Sequence, residues 1–143
     1  MLAARALRFY AGLVAQSLST TLIFLAGLVN LLPVSGVLSA NRLQALYGVS
    51  LEDPNLLILM RHRAILFGIV GGLLVASAFR SPLRPVGLAV GLTSMISFVL
   101  IAWLVGNHNA ELGRIVVADL VATVALLGSA LLDHFAKKRQ AAA

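Results

Sequence analysis

A single apolar stretch with charges inside it constrains the fold more than any other part of this chain. The stretch Asp53–Phe79 is apolar almost throughout, yet it carries Arg61, His62 and Arg63 in its first half. A helix over 54–79 would be about 39 Å long at 1.5 Å per residue, which exceeds the hydrocarbon core of a bilayer at roughly 30 Å. The stretch therefore predicts a transmembrane helix whose charged turns stand near one membrane boundary.

Composition supports a membrane protein and removes several classes of chemistry. Hydrophobic residues make up 60% of the chain and charged residues only 11%, whereas about a quarter of a soluble domain is charged. The absence of cysteine from the sequence excludes disulfides, thiolate metal sites and thiol redox chemistry. The net charge of +6 sits at the ends of the apolar segments, which favours anionic lipid headgroups over nucleic acid as the partner. We predict no cofactor and no nucleic-acid partner.

Three further apolar segments complete the predicted architecture. The predicted fold class is all-α: a four-transmembrane-helix bundle with a short interfacial helix in the first, outer loop, forming one integral membrane domain over 1–143. Ser39 is a suitable N-cap and Gly48 a suitable stop for the interfacial helix, as Asp53 is a suitable N-cap for the second span. The predicted spans are about 9–32, 54–79, 84–105 and 111–136, with the interfacial helix at about 40–47.

The basic residues predict an orientation through the positive-inside rule. Most of them fall on the side of the membrane that holds both termini, which we therefore predict to be cytoplasmic, in a bacterial inner membrane. Those residues are Arg5, Arg8, Arg80, Arg84, Lys137, Lys138 and Arg139, against Arg42, Arg61, Arg63 and Arg114 on the other side. The predicted partners are membrane lipids, and either another membrane protein or a second copy of the chain in a homo-oligomer.

Helical phase separates the two arginines of the second span. At 100° per residue, Gly68 and Gly72 lie within about 20° of Arg61, and Arg63 is turned about 160° away from it. Glycines four residues apart are typical of close helix–helix contacts in membranes. We therefore predict that Gly68 and Gly72 face the bundle together with Arg61. A second pair, formed by Gly87 and Gly91, predicts a packing face on the third span.

Asp119 is an ionisable residue surrounded by apolar neighbours inside the fourth span, and such a group normally faces protein, water or a partner charge. Since Arg61 and Asp119 lie at similar depths from the same surface, we predict that they pair. The pair is either a structural salt bridge or the base of an outward-open polar pocket. The residues that could line such a pocket are Arg61, His62, Asp119, Asn30, Asn107 and His108. Their spacing matches no metal-ligand motif, so we predict no metal site.

Other polar and aromatic residues sit where spans meet the headgroup layer. Long basic side chains can extend from such positions to lipid phosphates. The predicted headgroup anchors are Arg63, Tyr47, Trp103, Arg80, Arg84, Lys137, Lys138 and Arg139.

The chain resembles a known group of small membrane proteins. The resemblance covers ALYGVSLEDPNLLILMRHRAILFGIVGG, AFRSPLRP and SMISFVLIAWLVG, with Tyr47-Gly48 and the Arg61-His62-Arg63…Gly68 pattern as its main points. These are four-helix bacterial inner-membrane proteins of the DoxX-like kind, mostly of unassigned function. The resemblance implies a four-helix fold and, in some members, an accessory role in quinol or sulfur-redox assemblies. It carries over no catalytic residues.

Three functions are compatible with these observations. The first is a non-enzymatic membrane protein that binds lipid, quinone or a partner membrane protein. The second is a membrane enzyme acting on a lipophilic substrate at the outer pocket, with Arg61 fixing an anion and His62 or His108 moving protons. The third is a small oligomeric transporter or proton pathway through Asp119. The apolar inner halves of the second and fourth spans count against the third.

Overall fold

Five α-helices make up the molecule in the computed structural model, which describes residues 2–141 and the side chains of residues 10–138. The α-helices are α1 (Leu2–Leu31), α2 (Ala40–Tyr47), α3 (Pro54–Phe79), α4 (Arg84–Val105) and α5 (Ala110–Ala141). Two short 3₁₀ helices, Leu32–Val37 and Ser81–Leu83, follow α1 and α3.

Four of these helical stretches are long and apolar enough to cross a membrane: 10–37, 54–79, 81–105 and 110–138. The all-α, four-helix transmembrane architecture is thus confirmed. The first helix begins earlier than predicted, at Leu2, and the last continues to Ala141. At 1.5 Å per residue, α5 is about 48 Å long, so part of it extends beyond a hydrocarbon core of roughly 30 Å.

The capping residues set the ends of α2 and the start of α3. The Ser39 hydroxyl accepts a hydrogen bond from the backbone N–H of Arg42, and Gly48 ends α2 in the left-handed conformation with φ of 63°. The Asp53 carboxylate accepts from the backbone N–H of Asn55 at 2.9 Å. These caps satisfy backbone groups that the helix itself leaves unpaired. The predicted bounds of both helices, 40–47 and 54–79, are confirmed.

The long helices pack in a ring in which α1 contacts α3 and α5, and α4 contacts the same two helices. Each long helix contributes to one buried apolar cluster, through Ile23, Leu74, Met95 and Leu126. A second cluster surrounds α2, through Leu43, Tyr47, Leu51 and Ala64. We call the end of the bundle that carries α2 the α2 end, and the opposite end, which carries Ser81–Leu83, the Arg84 end.

The closest approach between α1 and α3 is at a glycine pair that the sequence analysis did not single out. A Cβ atom added to Gly71 would lie 2.9 Å from the carbonyl oxygen of Gly27, and one added to Gly27 would lie 3.1 Å from that of Gly71. The predicted pair is wrong in part: Gly72 is exposed, and a Cβ there would meet no described atom within 4 Å. Gly68 approaches only the side chain of Val34.

The prediction for the third span is confirmed. A Cβ atom added to Gly87 would lie 2.6 Å from the Cβ of Ser77, and one added to Gly91 would lie 2.9 Å from a methyl of Leu74. Both glycines therefore let α4 lie directly against α3, as small residues do at helix–helix contacts in membranes.

Candidate functional site

Arg63 lies inside the bundle at the α2 end, against three aromatic rings. The centre of its guanidinium is 5.3 Å from the ring centroid of Tyr47, 5.1 Å from that of Phe67 and 4.7 Å from that of Phe98. A cation within about 6 Å of an aromatic face is attracted by the ring's negative face, more strongly where water is excluded. Residues from α2, α3 and α4 thus hold one charged group in place.

The two arginines of α3 have the opposite orientation to the one predicted. Arg61 is exposed and Arg63 is partly buried. The error follows from the glycine pair, because the face of α3 that packs is marked by Ala64, Gly71 and Ala78. These small residues recur every seven positions, and Arg63 is the neighbour of the first of them. That heptad spacing is the signal in the sequence that could have found the buried face.

Asp119 is 5% exposed, and its Oδ2 atom makes no hydrogen bond to any described residue. The predicted ion pair with Arg61 is wrong. The ion pairs within 4.0 Å among residues 10–138 are Arg84–Asp133 and Arg114–Glu111. Asp119 lies within electrostatic range of Arg63, but the two side chains form no ion pair within 4.0 Å. Asp119 is therefore a buried carboxylate near a cation with which it does not pair.

Helix register places Asp119 level with the aromatic rings around Arg63. Gly91 of α4 faces Leu126 of α5, as a Cβ there would lie 3.0 Å from a Leu126 methyl. The two helices run in opposite directions. Phe98 lies seven residues from Gly91 on α4, and Asp119 lies seven residues from Leu126 on α5, both toward the α2 end. At an equal rise per residue, Phe98 and Asp119 come to the same depth.

Asn30 brings a second buried acceptor to this depth. It is 3% exposed, its amide nitrogen donates to the carbonyl of Ala26 at 3.2 Å, and its Oδ1 makes no hydrogen bond within the described chain. The hydroxyls of Ser19 on α1 and Ser129 on α5 are hydrogen-bonded, so these two residues lie at the same depth. Asn30 is eleven residues from Ser19 and Asp119 is ten residues from Ser129, both toward the α2 end, so they too lie at about the same depth. We call Arg63, Asp119, Asn30, Tyr47, Phe67 and Phe98 the Arg63 site.

The side chain of Tyr47, at the end of α2, covers this site at the α2 end of the bundle. Tyr47 is 2% exposed. Burial raises the pKa of its hydroxyl, the charge of Arg63 lowers that pKa and the charge of Asp119 raises it, so the hydroxyl lies within range of both charges. Tyr47 was predicted as a headgroup anchor; that prediction is wrong, since its ring packs inward on Arg63.

Asn109, which the sequence analysis did not assign to the site, fastens α2 over it. Its amide nitrogen donates to the carbonyls of Tyr47 at 2.9 Å and Gly48 at 3.1 Å. Its Oδ1 accepts from the backbone N–H of Leu112 at 2.8 Å, which makes it an N-cap of α5. One side chain therefore ties the end of α2 to the start of the last span.

The other residues predicted to line an outer pocket are not brought together. His62, Asn107 and His108 are exposed, and Asn107 adopts a positive φ of 46° in the turn before α5. Their prediction as pocket residues is wrong, because Asn107 and His108 are exposed in this turn and His62 is exposed on the outer face of α3. Across residues 10–138, no three side chains among His, Asp and Glu form a group that could hold a metal ion.

The predicted headgroup anchors divide into two groups. Trp103, Arg80, Lys137 and Lys138 are exposed at helix ends, where contact with headgroups stays a prediction. The side chain of Arg139 lies outside the described side chains. Arg63 and Arg84 are wrong as anchors, since both turn into the bundle.

Arg84 belongs to a buried polar cluster at the opposite end. Its guanidinium donates to both carboxylate oxygens of Asp133, at 3.0 and 3.3 Å, and to the carbonyl of Ala78 at 3.0 Å. It also donates to the hydroxyls of Ser19 and Thr20. The Ser19 hydroxyl in turn donates to Asp133 at 2.8 Å and lies 2.8 Å from the Ser129 hydroxyl. This Arg84 cluster joins all four spans.

Comparisons with protein-family models, with curated proteins and with solved structures found no match. The resemblance to DoxX-like proteins therefore stays a prediction. The fold defines a multi-pass membrane protein, and the geometry defines two polar groups inside it. Only the Arg63 site keeps buried hydrogen-bonding oxygens on two helices and an arginine that donates no hydrogen bond to any described residue, so it is the candidate functional site.

Proposed function

We propose that this chain is a non-enzymatic multi-pass membrane protein that binds a lipophilic molecule of the quinone class through its head at the Arg63 site. One observation carries the proposal. Arg63, a donor, and Asp119, an acceptor, lie close enough for their charges to interact, yet neither hydrogen-bonds the other. Buried polar groups are normally paired, and an unpaired one costs about 1–3 kcal/mol. A ligand that donates to the buried Asp119 oxygen recovers that free energy, and the partly buried Arg63 offers it a charged donor as well.

The mix of donors and acceptors favours an uncharged head that can accept and donate. A quinone carbonyl accepts from the Arg63 guanidinium, and the hydroxyl of the reduced form donates to Asp119 or Asn30. An anionic phospholipid head is less suitable here, because Asp119 would repel its phosphate. The rings of Phe67, Phe98 and Tyr47 add flat apolar surfaces beside the guanidinium, which suit an aromatic or quinonoid ring.

Access from the membrane suits the same class of ligand. Tyr47 and the Asn109 hydrogen bonds cover the site on the α2 side. The long helices around the site are largely exposed on their outer faces, where lipid lies. A molecule dissolved in the bilayer therefore meets the outer faces of the helices that carry Arg63, Phe98 and Asp119 without passing through water.

The localisation we propose is a bacterial inner membrane with both termini in the cytoplasm. The charge distribution supports this orientation. In the proposed orientation, the Arg63 site would lie in the outer half of the bilayer and the Arg84 cluster at the cytoplasmic surface.

The binding experiment uses Trp103, the single tryptophan of the chain, which lies on α4 five residues after Phe98. The full chain is reconstituted in nanodiscs and titrated with decylubiquinone, and Trp103 quenching is recorded. We expect saturable quenching in the wild-type protein. Arg63→Gln should weaken it about tenfold, since a hydrogen bond to a charged group contributes about 1.5–3 kcal/mol.

Arg61→Gln is the matched control, because it removes the same charge from an exposed position two residues away on the same helix. It should leave the saturable component unchanged. Quenching that rises linearly with quinone and is identical in all three proteins would reflect collision in the bilayer alone, and the proposal would be wrong.

A further inference from the structure

A cleft at the α2 end shares no residue with the Arg63 site. It is an open cleft of about 290 Å³ between the 3₁₀ helix Leu32–Val37 and α2. Its lining is apolar except for one hydroxyl and one guanidinium, and consists of Leu32, Ser35, Gly36, Arg42, Ala45 and Leu46. The cleft stands at the end of the first span, where hydrocarbon gives way to headgroups.

The position of Arg42 in this cleft is fixed by the packing of its neighbour. Gly36 is buried, and its lack of a side chain lets Leu43 pack directly on the 3₁₀ helix; a Cβ at Gly36 would overlap Leu43. Arg42 precedes Leu43 in α2, so docking Leu43 turns the arginine toward the rim of the cleft. The Ser39 cap, which accepts from the Arg42 backbone N–H, fixes this first turn of α2.

Among the described side chains, the charge of Arg42 has no ion-pair partner. Arg42 is exposed, and no carboxylate lies within 4.0 Å of its guanidinium in the described part of the chain. An arginine guanidinium presents a planar set of donors that matches a phosphate group. The cleft therefore combines a free cation with apolar walls at the depth of the headgroup layer.

An apolar track leads from the cleft into the membrane. Leu32, Leu28 and Leu25 are 66%, 40% and 52% exposed, and their spacing of three and four residues places them on one face of the first span. This face starts at the cleft wall and runs down α1. Its length and direction suit an acyl chain that hangs from a headgroup held at Arg42.

We propose that this cleft is a binding site for one membrane phospholipid with a net negative headgroup. The Arg42 guanidinium binds the phosphate, and Leu32, Leu28 and Leu25 hold the acyl chain. The site is independent of the proposed function, since it shares no residue with the Arg63 site and takes a charged head that Asp119 would repel there.

The test is native mass spectrometry of the full chain released from nanodiscs that contain phosphatidylglycerol and phosphatidylcholine. The wild-type protein should retain one phosphatidylglycerol in preference to phosphatidylcholine. Arg42→Gln should reduce that retention about tenfold, the effect of losing a charged hydrogen bond. Arg61→Gln, which removes an exposed arginine at the same end of the bundle, should retain the lipid as the wild type does.

Two further arms test the apolar wall of the cleft and distinguish a lipid phosphate from free inorganic phosphate. Leu32→Gln alters the apolar wall without touching the charge and should also lower lipid retention. Excess inorganic phosphate should not displace the lipid. Equal retention in Arg42→Gln and wild type would overturn the site, and displacement of the lipid by inorganic phosphate would show a general anion site instead.

Discussion

The two ends of the bundle each contain one inward-facing arginine and one inward-facing aspartate, and they differ in how these groups are bonded. At the Arg84 end, the guanidinium and the carboxylate meet in two hydrogen bonds, and hydroxyls from α1 and α5 join the cluster. The buried Nε of Arg84 is the one atom of this guanidinium that makes no hydrogen bond in the described chain. At the α2 end, Arg63 rests on aromatic rings, and the Oδ2 of Asp119 makes no hydrogen bond in the described chain. The first arrangement stabilises the bundle, whereas the second leaves a donor and an acceptor available to a ligand.

The burial of these groups sharpens the comparison. The side chains of Arg84 and Asp133 are 11% and 20% exposed, so their pair still borders the surface. Asp119 is 5% exposed and has less access to water. If both aspartates served stability alone, the more buried one, Asp119, would be the one that forms an ion pair. Instead the less buried Asp133 is paired and Asp119 is not. This supports a structural role for the Arg84 cluster and a binding role for the Arg63 site.

The largest expected effect is the loss of the bonded pair. Asp133→Asn removes the partner charge of Arg84 and leaves a cation among four helices. Breaking such a pair costs about 3 kcal/mol or more, so the variant should unfold at markedly lower denaturant concentration. Unfolding followed by circular dichroism during a titration with sodium dodecyl sulfate measures this change.

Lys137→Gln provides the control, because it removes an exposed charge from the same end of α5. It should unfold as the wild type does. Equal stability of Asp133→Asn and wild type would show that the Arg84 cluster contributes nothing to the fold, and the comparison of the two ends would fail.

A change that keeps the charge separates the two arginines further. Arg84→Lys loses the paired donation to Asp133 and the bonds to Thr20 and Ala78, and should lower the free energy of unfolding by about 2 kcal/mol. Arg63→Lys keeps a cation among the same rings and should cost less than about 1 kcal/mol. The same unfolding titration measures both. Similar losses in the two variants would contradict the assignment of different roles.

The attachment of α2 has an intermediate expected effect. Asn109→Ala removes the N-cap of α5 and both bonds to the end of α2, and should cost about 1 kcal/mol. Hydrogen exchange should become faster at the amides of residues 43–48, because this segment loses its tie to α5. Asn107→Gly is the comparison variant, since glycine tolerates the positive φ at that exposed position. Faster exchange in both variants would mean that Asn109 has no special role.

The smallest expected effect is at the unbonded aspartate. Asp119→Asn removes a buried charge that no described residue hydrogen-bonds, so the free energy of unfolding should stay within about 1 kcal/mol of the wild type or rise. Asp133→Asn is the same substitution on the same helix, so any difference in unfolding free energy between the two variants comes from the surroundings of each aspartate. A loss of about 3 kcal/mol at Asp119 would show an ion pair at the α2 end as well.

The sequence predicts the helices well, because the signals for them are local. Apolar length defines the four spans, and Ser39, Gly48 and Asp53 mark helix ends through hydrogen bonds to nearby backbone. These signals do not depend on what each helix packs against. The bounds of α2 and α3 could therefore be predicted residue by residue.

The sequence predicts less about which polar side chains face inward. Apolar residues surround α3 on all sides, so its hydrophobic pattern alone gives no inner face. Only the heptad spacing of its small residues Ala64, Gly71 and Ala78 marks that face, and the predicted phase depends on Gly68 and Gly72 instead. The positive-inside rule assigns Arg84 to a side of the membrane but says nothing about its direction. The inward position of Asp119 is predictable because a charged group this far inside a span is costly to expose to lipid, whereas its neighbours depend on three other helices.

The position of Asp133 and Asn109 on the last span has a consequence for biosynthesis. Arg84 enters the membrane with α4, before the helix that carries its carboxylate partner has been made. Until α5 inserts, Arg84 lacks Asp133 and α2 lacks the Asn109 bonds that hold it over the bundle. The last helix thus completes both ends at once, and a chain that stops before α5 would present an unpaired cation to quality-control proteases.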